Sequence, residues 1–260
     1  MKRYYACLPL AAAMLLLAGT QTACRAQGRD LRPQFAEYGI TIKDQGERPT
    51  CSVHTMIGLY EFEYAHTMGR RDPLSVEYLN WACNRVDSAD YDGTMFSSAV
   101  DAVARYGICA DDYMPYATRF SAKAEPSEAA KRDAASRKGG TAHWIKDWDP
   151  GTGLTAGHLR AIKRELDREH PVAIGFRWPR SKVVNKYLAD GTLVMQPADS
   201  VVDGHSVLIV GYKDDASYPG GGYLIFKNSY AEAFGDKGYG KIPYEYAGAY
   251  GNDAVTVHLK

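Results

Sequence analysis

The first long helical pattern of the chain begins next to residue 50. Apolar side chains recur there at three- or four-residue spacing, which is the period of one face of an α-helix. These positions are Val53, Ile57, Tyr60 and Tyr64. Thr50 belongs to a residue type favoured at the N-cap position. The pattern predicts a helix that begins directly after Thr50 and ends at the dipeptide Asp72-Pro73.

Three later segments have the same helical spacing. The first starts at Ser75, the second follows a Thr94 cap and stops at Gly107, and the third covers residues 155–169. Their apolar faces carry Trp81 and Val86, then Phe96, Val100 and Val103, then Leu159, Ile162 and Leu166. The stretch from the end of the leader to Lys43 is expected to be polar and extended. Residues 126–138 are polar and helix-prone, and we interpret them as a surface insertion.

The spacing of apolar residues changes after Pro171. Short runs rich in β-branched and aromatic residues predict strands over 172–176, 207–211, 223–226 and 254–259. Glycine and proline turns separate them. Helices followed by strands predict an α+β fold of two packed lobes, a helical lobe over about 51–150 and a β lobe over about 151–260.

Composition narrows the range of functions. The chain has 260 residues, of which 45% are apolar and 24% charged, as is ordinary for a folded protein. The formal net charge is +0, and no run of basic residues occurs. This balance argues against a nucleic-acid partner and against a polybasic membrane patch.

Residues 1–26 have the features of a bacterial secretory signal peptide. A short basic start precedes an apolar core that is too short to span a bilayer, and small residues follow. Cleavage after Ala26 would release an exported protein, secreted or periplasmic, whose folded domain is 27–260. Cleavage before Cys24 would leave a cysteine that can carry lipid. Gln21 stands where a lipoprotein signal usually has an aliphatic residue, so we favour the free form.

The predicted export would place the cysteines of the folded domain in an oxidising compartment. Cys7 and Cys24 lie in the leader, which leaves Cys51, Cys83 and Cys109 in the folded domain. An odd number leaves one free thiol. Cys83 and Cys109 either pair as a disulfide, which leaves Cys51 free, or are small buried hydrophobic residues.

Cys51 is the candidate nucleophile. It follows the predicted N-cap Thr50, where the positive end of the helix dipole favours a thiolate. Pro49 and the polar neighbours Glu47 and Arg48 predict that this cysteine is not deeply buried.

Three further residues complete a candidate catalytic set. His205 opens a predicted strand and can serve as a base, and Asn228 can accept a hydrogen bond from its ring and orient it. Gln45 lies six positions before Cys51, next to the flexible Gly46, and its amide can donate to an oxyanion together with the Cys51 backbone N–H. A cysteine, a distant histidine and a later amide have the chemistry of a thiolate nucleophile with its base.

His54 needs separate treatment. It lies three residues after Cys51 on the same predicted helix face, so it can perturb the thiol, bind a metal or simply pack beside the site. The other histidines have no comparable setting. We predict no metal site and no cofactor.

The chain resembles the papain-type cysteine peptidases, in particular compact bacterial members. The similar segments are Lys43-Asp44-Gln45-Gly46, Thr50-Cys51-Ser52, Leu74 to Leu79, Arg105 to Ile108, Met114-Pro115-Tyr116, His170-Pro171-Val172, Gly204 to Val207, Lys227 to Tyr230 and Gly235 to Gly240. They occur in the family's order and cover most of residues 43–246. The resemblance implies a papain-like fold with the active site in a cleft between a helical and an antiparallel β lobe.

The resemblance also implies a role for each site residue. Cys51 would be the nucleophile, His205 the base and then the acid, Asn228 the orienting residue and Gln45 the oxyanion donor. Peptide bonds would be cleaved through an acyl-enzyme.

A glycine-bearing loop of the family binds the substrate backbone, and Asp92-Gly93 occupies its place. Gly204 and Tyr230 would border the same substrate. Tyr230 stands where the family has a tryptophan that shields the histidine–asparagine hydrogen bond.

Several features depart from the family pattern. The family usually has a Cys-Gly-[Ser/Ala]-Cys-[Trp/Tyr] motif around the nucleophile. This chain has Arg48-Pro49-Thr50-Cys51-Ser52 in its place. His205 and Asn228 follow Cys51 at more than the usual spacing of about 130–150 residues, and the insertion at 126–138 can supply part of the excess. There is no room for a long inhibitory propeptide after a cleaved leader. We therefore expect a monomer that is active on release or is restrained by a separate protein inhibitor.

Two other functions use the same residues. A different acyl-transfer enzyme, of transglutaminase or amidase type, can contain a cysteine, a histidine and an amide. A non-catalytic binder on a peptidase scaffold is the second alternative, and replacing Cys51 by alanine would not affect it. The order of the similar segments favours the peptidase, whose partner would be a peptide or protein substrate.

Overall fold

The computed structural model describes residues 1 and 28–259, and for Asp203 the backbone only. Apart from Met1, the predicted signal peptide, including Cys24, lies outside the described residues. The helices are α1 (Arg32–Glu37), α2 (Cys51–Met68), α3 (Val76–Asp87), α4 (Phe96–Tyr106), α5 (Glu128–Ala134), α6 (Ala156–Asp167) and α7 (Tyr244–Tyr250). The strands are β1 (Gly28–Asp30), β2 (Thr141–Lys146), β3 (Val172–Pro179), β4 (Val201–Asp214), β5 (Gly222–Lys227), β6 (Tyr239–Pro243) and β7 (Gly251–His258).

The strands form one antiparallel sheet. Its order is β2-β7-β3-β4-β5-β6, and β1 pairs with β4. The four predicted strands lie in β3, β4, β5 and β7, which are the four adjacent strands between β2 and β6 in this order. β4 begins earlier than its apolar run, so His205 lies within the strand rather than at its start. Residues 141–146, assigned by sequence to the helical lobe, pair with β7 as β2.

Helix α2 is the central element between the sheet and the helical lobe. Every residue from Cys51 to Ala65 is buried, because α2 packs against β4 on one side and against α3 and α4 on the other. The helix ends at Met68, before the predicted stop at Asp72-Pro73. Gly69 adopts a left-handed conformation with φ of 67° and its N–H bonds to the Ala65 carbonyl, a common C-terminal cap for which glycine has no steric penalty.

Two sequence interpretations of polar segments were wrong. Residues 126–138 are not simply a surface insertion, because α5 buries Ala130 and Ala134 completely. The Ile108 N–H also bonds to the Arg137 carbonyl at 3.2 Å. The stretch before Lys43, expected to be polar and extended, contains β1 and α1 and buries Phe35. In both segments a few apolar side chains fill the core although most residues are polar.

The ends of the shorter helices follow local capping chemistry. The Ser75 side chain accepts from the Tyr78 N–H at the start of α3, and Thr155 forms a capping box with His158 at the start of α6. Helix α4 begins one residue later than predicted, so Met95 rather than Thr94 is at its N-cap position. None of the described helices is long and apolar enough to cross a membrane.

Candidate active site

Cys51 is the first residue of α2 and faces a cleft of about 390 Å³. Thr50 holds the N-cap position, but its hydroxyl bonds to the Tyr116 hydroxyl at 2.7 Å and makes no capping bond to the helix. The first N–H groups of α2 therefore keep their partial positive charge next to the thiol. Cys51 is 8% exposed.

The expectation that polar neighbours would keep Cys51 from deep burial was wrong. Arg48 is itself buried, with 5% of its surface exposed. Its guanidinium bonds to Glu77 at 2.6 Å and to Asp92 at 2.8 and 2.9 Å, and to the Ala117 carbonyl at 2.6 Å. A charged residue can enter the interior when all its donors are satisfied. Arg48 fixes the loop before Cys51, a role that sequence reasoning missed because its partners are distant in the chain.

A β-bulge places His205 over the cleft. Phe176 of β3 pairs with His205 of β4, whereas the next residue, Arg177, pairs with Asp203, so Gly204 is left as the extra residue. A bulge turns the side chain beside it out of the regular alternation. Gly204 has φ of 121°, a region that glycine adopts without strain.

The His205 ring forms a hydrogen bond with Asn228. Its Nε2 lies 2.9 Å from Asn228 Oδ1. The same Oδ1 accepts from the Ser229 N–H at 2.9 Å, which identifies this atom as the oxygen of the amide. His205 Nε2 therefore carries the proton in the neutral ring, and Nδ1 has the free lone pair.

Two aromatic rings enclose the imidazole. The centroid of Trp178 lies 4.6 Å from that of His205, and the Tyr230 ring stacks on the imidazole at 4.8 Å with an interplanar angle of 26°. The Tyr230 hydroxyl lies 3.2 Å from His205 Nδ1. Tyr230 thus covers the ring and also forms a hydrogen bond to it. Sequence reasoning missed Trp178, which lies in a strand with no pattern that links it to His205.

Burial disfavours the charged form of both the thiol and the imidazole. The Cys51 Sγ donates to the Gly204 carbonyl at 3.7 Å. Burial raises the pKa of the Cys51 thiol, and hydrogen bonds from Ser206 and nearby backbone groups partly oppose this rise. Burial also lowers the pKa of His205 to about 4, against the hydrogen bond to Asn228 that raises it.

Gln45 lies beside this group and is itself fixed. Its Nε2 donates to the Arg48 carbonyl at 2.8 Å, and its Oε1 accepts from the Ser229 hydroxyl at 2.6 Å. The Gln45 N–H bonds to the Ser229 carbonyl at 2.9 Å. These contacts connect the loop before Cys51 to the segment after Asn228. The Arg48 carbonyl uses one of the two N–H bonds of the carboxamide.

The predicted substrate-binding loop borders the cleft. Asp92 and Gly93 both line it. The Asp92 carboxylate accepts from Arg48 and from the Asn80 amide at 3.0 Å, and the Gly93 N–H bonds to the other end of the Asn80 side chain. Gly93 has φ of 98°, and a Cβ there would lie 2.4 Å from the Pro49 carbonyl oxygen. Substrate binding by this loop, by Gly204 and by Tyr230 stays a prediction.

His54 packs beside the site. It is buried, and its Nδ1 donates to the Thr50 carbonyl at 3.0 Å. Burial lowers its pKa to about 4. The described residues contain no cluster of histidine, cysteine or acidic side chains that could hold a metal ion.

The three cysteines of the described part are free thiols. Cys83 and Cys109 are buried in the helical lobe, and the structure has no disulfide between them. Burial raises the pKa of each of these two thiols to about 12. In this structure Cys83 and Cys109 are therefore small buried hydrophobic residues, which is the second of the two alternatives.

Comparison with known proteins identifies the family. The model of the papain family cysteine proteases matches residues 27–257. The chain belongs to this family. The α+β, two-lobed papain-like fold expected from the sequence is thereby confirmed.

Two curated relatives show how distant the similarity is. An uncharacterized peptidase C1-like protein, L477, of Acanthamoeba polyphaga mimivirus is 25% identical over 210 residues, which are 78% of this chain and 64% of the viral protein. Cathepsin K of Mus musculus is 23% identical over 209 residues, which are 78% of this chain and 55% of cathepsin K. The chain thus spans less than two thirds of the length of these relatives.

Solved structures show the same fold. Xylellain, a cysteine protease from Xylella fastidiosa, superimposes with a TM-score of 0.67 at 22% identity, covering 90% of this chain and 86% of xylellain. A Carica candamarcensis cysteine protease, solved in complex with E-64, has a TM-score of 0.62 at 20% identity, covering 90% of this chain and 98% of that protein.

Proposed function

We propose that this chain is a cysteine peptidase that hydrolyses peptide bonds through an acyl-enzyme. The observation that carries the proposal is the convergence of three groups at one cleft. Cys51 lies at the start of a helix, His205 is turned toward the cleft by a bulge, and Asn228 bonds to the far nitrogen of the ring at 2.9 Å.

The first half-reaction follows from this geometry. The proton of the Cys51 thiol passes to His205 Nδ1, and Sγ attacks the carbonyl carbon of the peptide bond. The oxyanion of the tetrahedral intermediate accepts from the Cys51 backbone N–H and from the second amide N–H of Gln45. The imidazolium then gives its proton to the leaving amine, and a thioester to Cys51 remains.

The second half-reaction restores the enzyme. His205 Nδ1 takes a proton from a water molecule, whose oxygen attacks the thioester carbonyl. The carboxylic acid product leaves as the proton returns to Cys51 Sγ. Asn228 keeps Nε2 protonated throughout, so Nδ1 alone exchanges protons.

The substrate would lie along the cleft as an extended peptide. The Asp92 carboxylate is already bonded to Arg48 and Asn80, and the Gly93 N–H donates to Asn80. The Gly93 carbonyl is the group that would accept a hydrogen bond from the substrate backbone. Gly204 and Tyr230 would border the bond to be cleaved. We also propose export by the N-terminal segment and action as a monomer, with a separate inhibitor as a further partner. The support for these three statements is the sequence.

Active-site labelling with a matched control tests the proposal. Iodoacetamide should alkylate Cys51 in the native protein well below pH 8.5, and His205→Ala should slow the reaction. Cys83→Ala serves as the control, because that thiol is buried and should leave the labelling unchanged. A peptide library should be cleaved by the wild-type chain and by Cys83→Ala, but not by Cys51→Ala.

Other outcomes would favour the alternatives. Transfer of the acyl group to an added primary amine, with no hydrolysis in its absence, would indicate a transglutaminase-type enzyme. Peptide binding that is equal in wild-type and Cys51→Ala proteins, without cleavage by either, would indicate a binder. Labelling that is independent of His205 would contradict the catalytic assignment.

A further inference from the structure

Four histidines and three glutamates meet at the corner of the fold where the end of α2 lies near α6, β2 and β7. We refer to them as the histidine cluster: His66, His143, His170, His258, Glu63, Glu165 and Glu169. This corner is at the opposite end of α2 from Cys51, and none of the seven residues lines the cleft. Sequence analysis found no setting for these histidines, because they come from segments far apart in the chain.

Three of the imidazoles are in ring contact. The centroid of His258, the last residue of β7, lies 3.8 Å from that of His170 with an interplanar angle of 26°. It lies 4.2 Å from the centroid of His143 in β2. The His66 ring meets His170 edge-on at 6.2 Å. Neutral imidazoles pack well at such distances, whereas two imidazolium rings repel each other.

One proton of the cluster is held between Glu63 and His170. The Glu63 side chain is fully buried, and its Oε1 lies 2.9 Å from His170 Nδ1. A buried carboxylate needs a cation or a proton. The hydrogen bond to Glu63 raises the pKa of His170, although burial opposes the rise. His170 is therefore the ring that takes the first proton.

His258 has the opposite tendency. Its Nε2 lies 3.1 Å from Glu165 Oε2, but the other oxygen of this carboxylate is shared with Arg168 at 3.3 Å. Burial lowers the pKa of His258, and the neighbouring His170 and His143 lower it further against the attraction of Glu165. A proton on His258 would place a second positive charge 3.8 Å from the charged His170 ring.

The charged groups around these rings come from each neighbouring element. They are Glu63 and His66 from α2, Glu165 from α6, Arg168 and Glu169 from the segment after α6, Arg29 from β1 and His143 from β2, with the Tyr38 hydroxyl 3.2 Å from His66 Nδ1. Both arginines are paired, Arg168 with Glu165 and Arg29 with Glu169. These two cations therefore bind glutamates other than Glu63.

We propose that the histidine cluster is an acid-sensitive clasp, which holds the end of α2 on β2 and β7 at neutral pH and loosens when a second ring takes a proton. Neutral His258 contributes stability that is full above about pH 6.5 and is lost as the pH falls. The His170–Glu63 pair contributes stability that is full below about pH 6.5 and is lost as the pH rises through the raised His170 pKa. Acid is thus the direction that opens the ring contacts.

The clasp joins two elements that reach the cleft. Helix α2 carries Cys51 at its other end, and β7 contributes Asn252 and Asp253 to the cleft wall. Loosening of the cluster would therefore release two of the elements that shape the cleft. This part of the fold makes the protein sensitive to acid without involving the residues of the candidate active site.

His258→Gln is the direct test, because glutamine can still donate to Glu165 but cannot become charged. Urea unfolding at pH 5 and pH 7 should show that wild type is destabilised by acid more than this variant. We expect the ratio of their unfolding constants to change by about three- to tenfold between the two pH values. His158→Gln is the matched control, because His158 lies at the start of α6 and glutamine can form the same capping box. It should follow wild type.

A second readout follows the rings themselves. The NMR titration of His258 should move upward by about one pH unit when Glu63→Gln and His170→Gln are introduced together. The double variant removes the positive ring without leaving a buried carboxylate unpaired. Hydrogen–deuterium exchange at pH 5 should be faster in wild type than in His258→Gln over residues 141–146 and 251–258, and equal in the two proteins at pH 7.

Three results would overturn the inference. Wild type and His258→Gln could lose stability in parallel as the pH falls, or the His258 titration could be unaffected by removal of the Glu63–His170 pair. Equal exchange of β2 and β7 in the two proteins at pH 5 would mean that the cluster does not hold these strands. None of these measurements uses Cys51 or His205, so the proposed peptidase function is tested separately.

Discussion

Replacing Arg48 by methionine should strongly destabilise the fold, because Arg48 links the loop before Cys51 to α3 and to the cleft wall. The guanidinium makes five hydrogen bonds, to both oxygens of Glu77, both oxygens of Asp92 and the Ala117 carbonyl. Methionine has a similar length but no charge. The variant leaves two largely buried carboxylates without their cation.

The size of the effect follows from what each carboxylate keeps. Glu77 is 6% exposed and retains one donor, the Ala117 N–H at 3.1 Å. Asp92 retains the Asn80 amide at 3.0 Å. Removing one partner of a buried ion pair typically costs about 3–5 kcal/mol, and we expect the free energy of unfolding to fall by an amount in that range.

Urea unfolding followed by tryptophan fluorescence provides the assay. Arg168→Met is the control, because Arg168 pairs with Glu165 at the surface and its side chain is 65% exposed, so its loss should cost less than about 1 kcal/mol. Adding Glu77→Gln to Arg48→Met should recover part of the loss, since it removes the uncompensated charge. A loss below about 1 kcal/mol for Arg48→Met, with no coupling to Glu77, would refute the reasoning.

Three further outcomes are expected. His54 has a folded pKa of about 4, below its unfolded value, so its contribution to stability is full above about pH 6.5 and is lost as the pH falls toward 4. His54→Gln should therefore flatten the curve of unfolding free energy against pH measured by urea unfolding. An unchanged slope of this curve would contradict the prediction. Gly93→Ala should reduce peptide cleavage and stability, because the alanine Cβ would lie 2.4 Å from the Pro49 carbonyl oxygen and the residue has a positive φ. Normal cleavage with a normal unfolding midpoint would show that the loop at Gly93 moves freely. Cys83 and Cys109 should both react with iodoacetamide after unfolding without reductant, whereas a disulfide would leave both unlabelled in the mass spectrum.

Local patterns were sufficient for the elements that carry their own signals. The start of α2 after Thr50, the start of α3 next to Ser75 and the apolar runs of β3, β4, β5 and β7 depend on residues close in the chain. They could be predicted because helix period, strand period and capping are local properties.

Segments whose apolar residues are few were misjudged. α1 and α5 each bury only one or two side chains, such as Phe35 or Ala134, within polar sequence. Neither has a pattern long enough to show which face is covered. Their burial depends on what the rest of the chain presents to them.

The sequence by itself determined the candidate site residues of this protein. Cys51, His205 and Asn228 were recognisable by type, order and local setting, and Gln45 by its spacing to Cys51. What only the tertiary structure decided is how these groups are held. The burial of Arg48, the bulge at Gly204 and the Tyr230 bond to Nδ1 depend on contacts between segments far apart in the chain. Protonation state and orientation follow from such contacts, because burial and hydrogen-bond partners are set by the folded neighbourhood and not by neighbours in sequence.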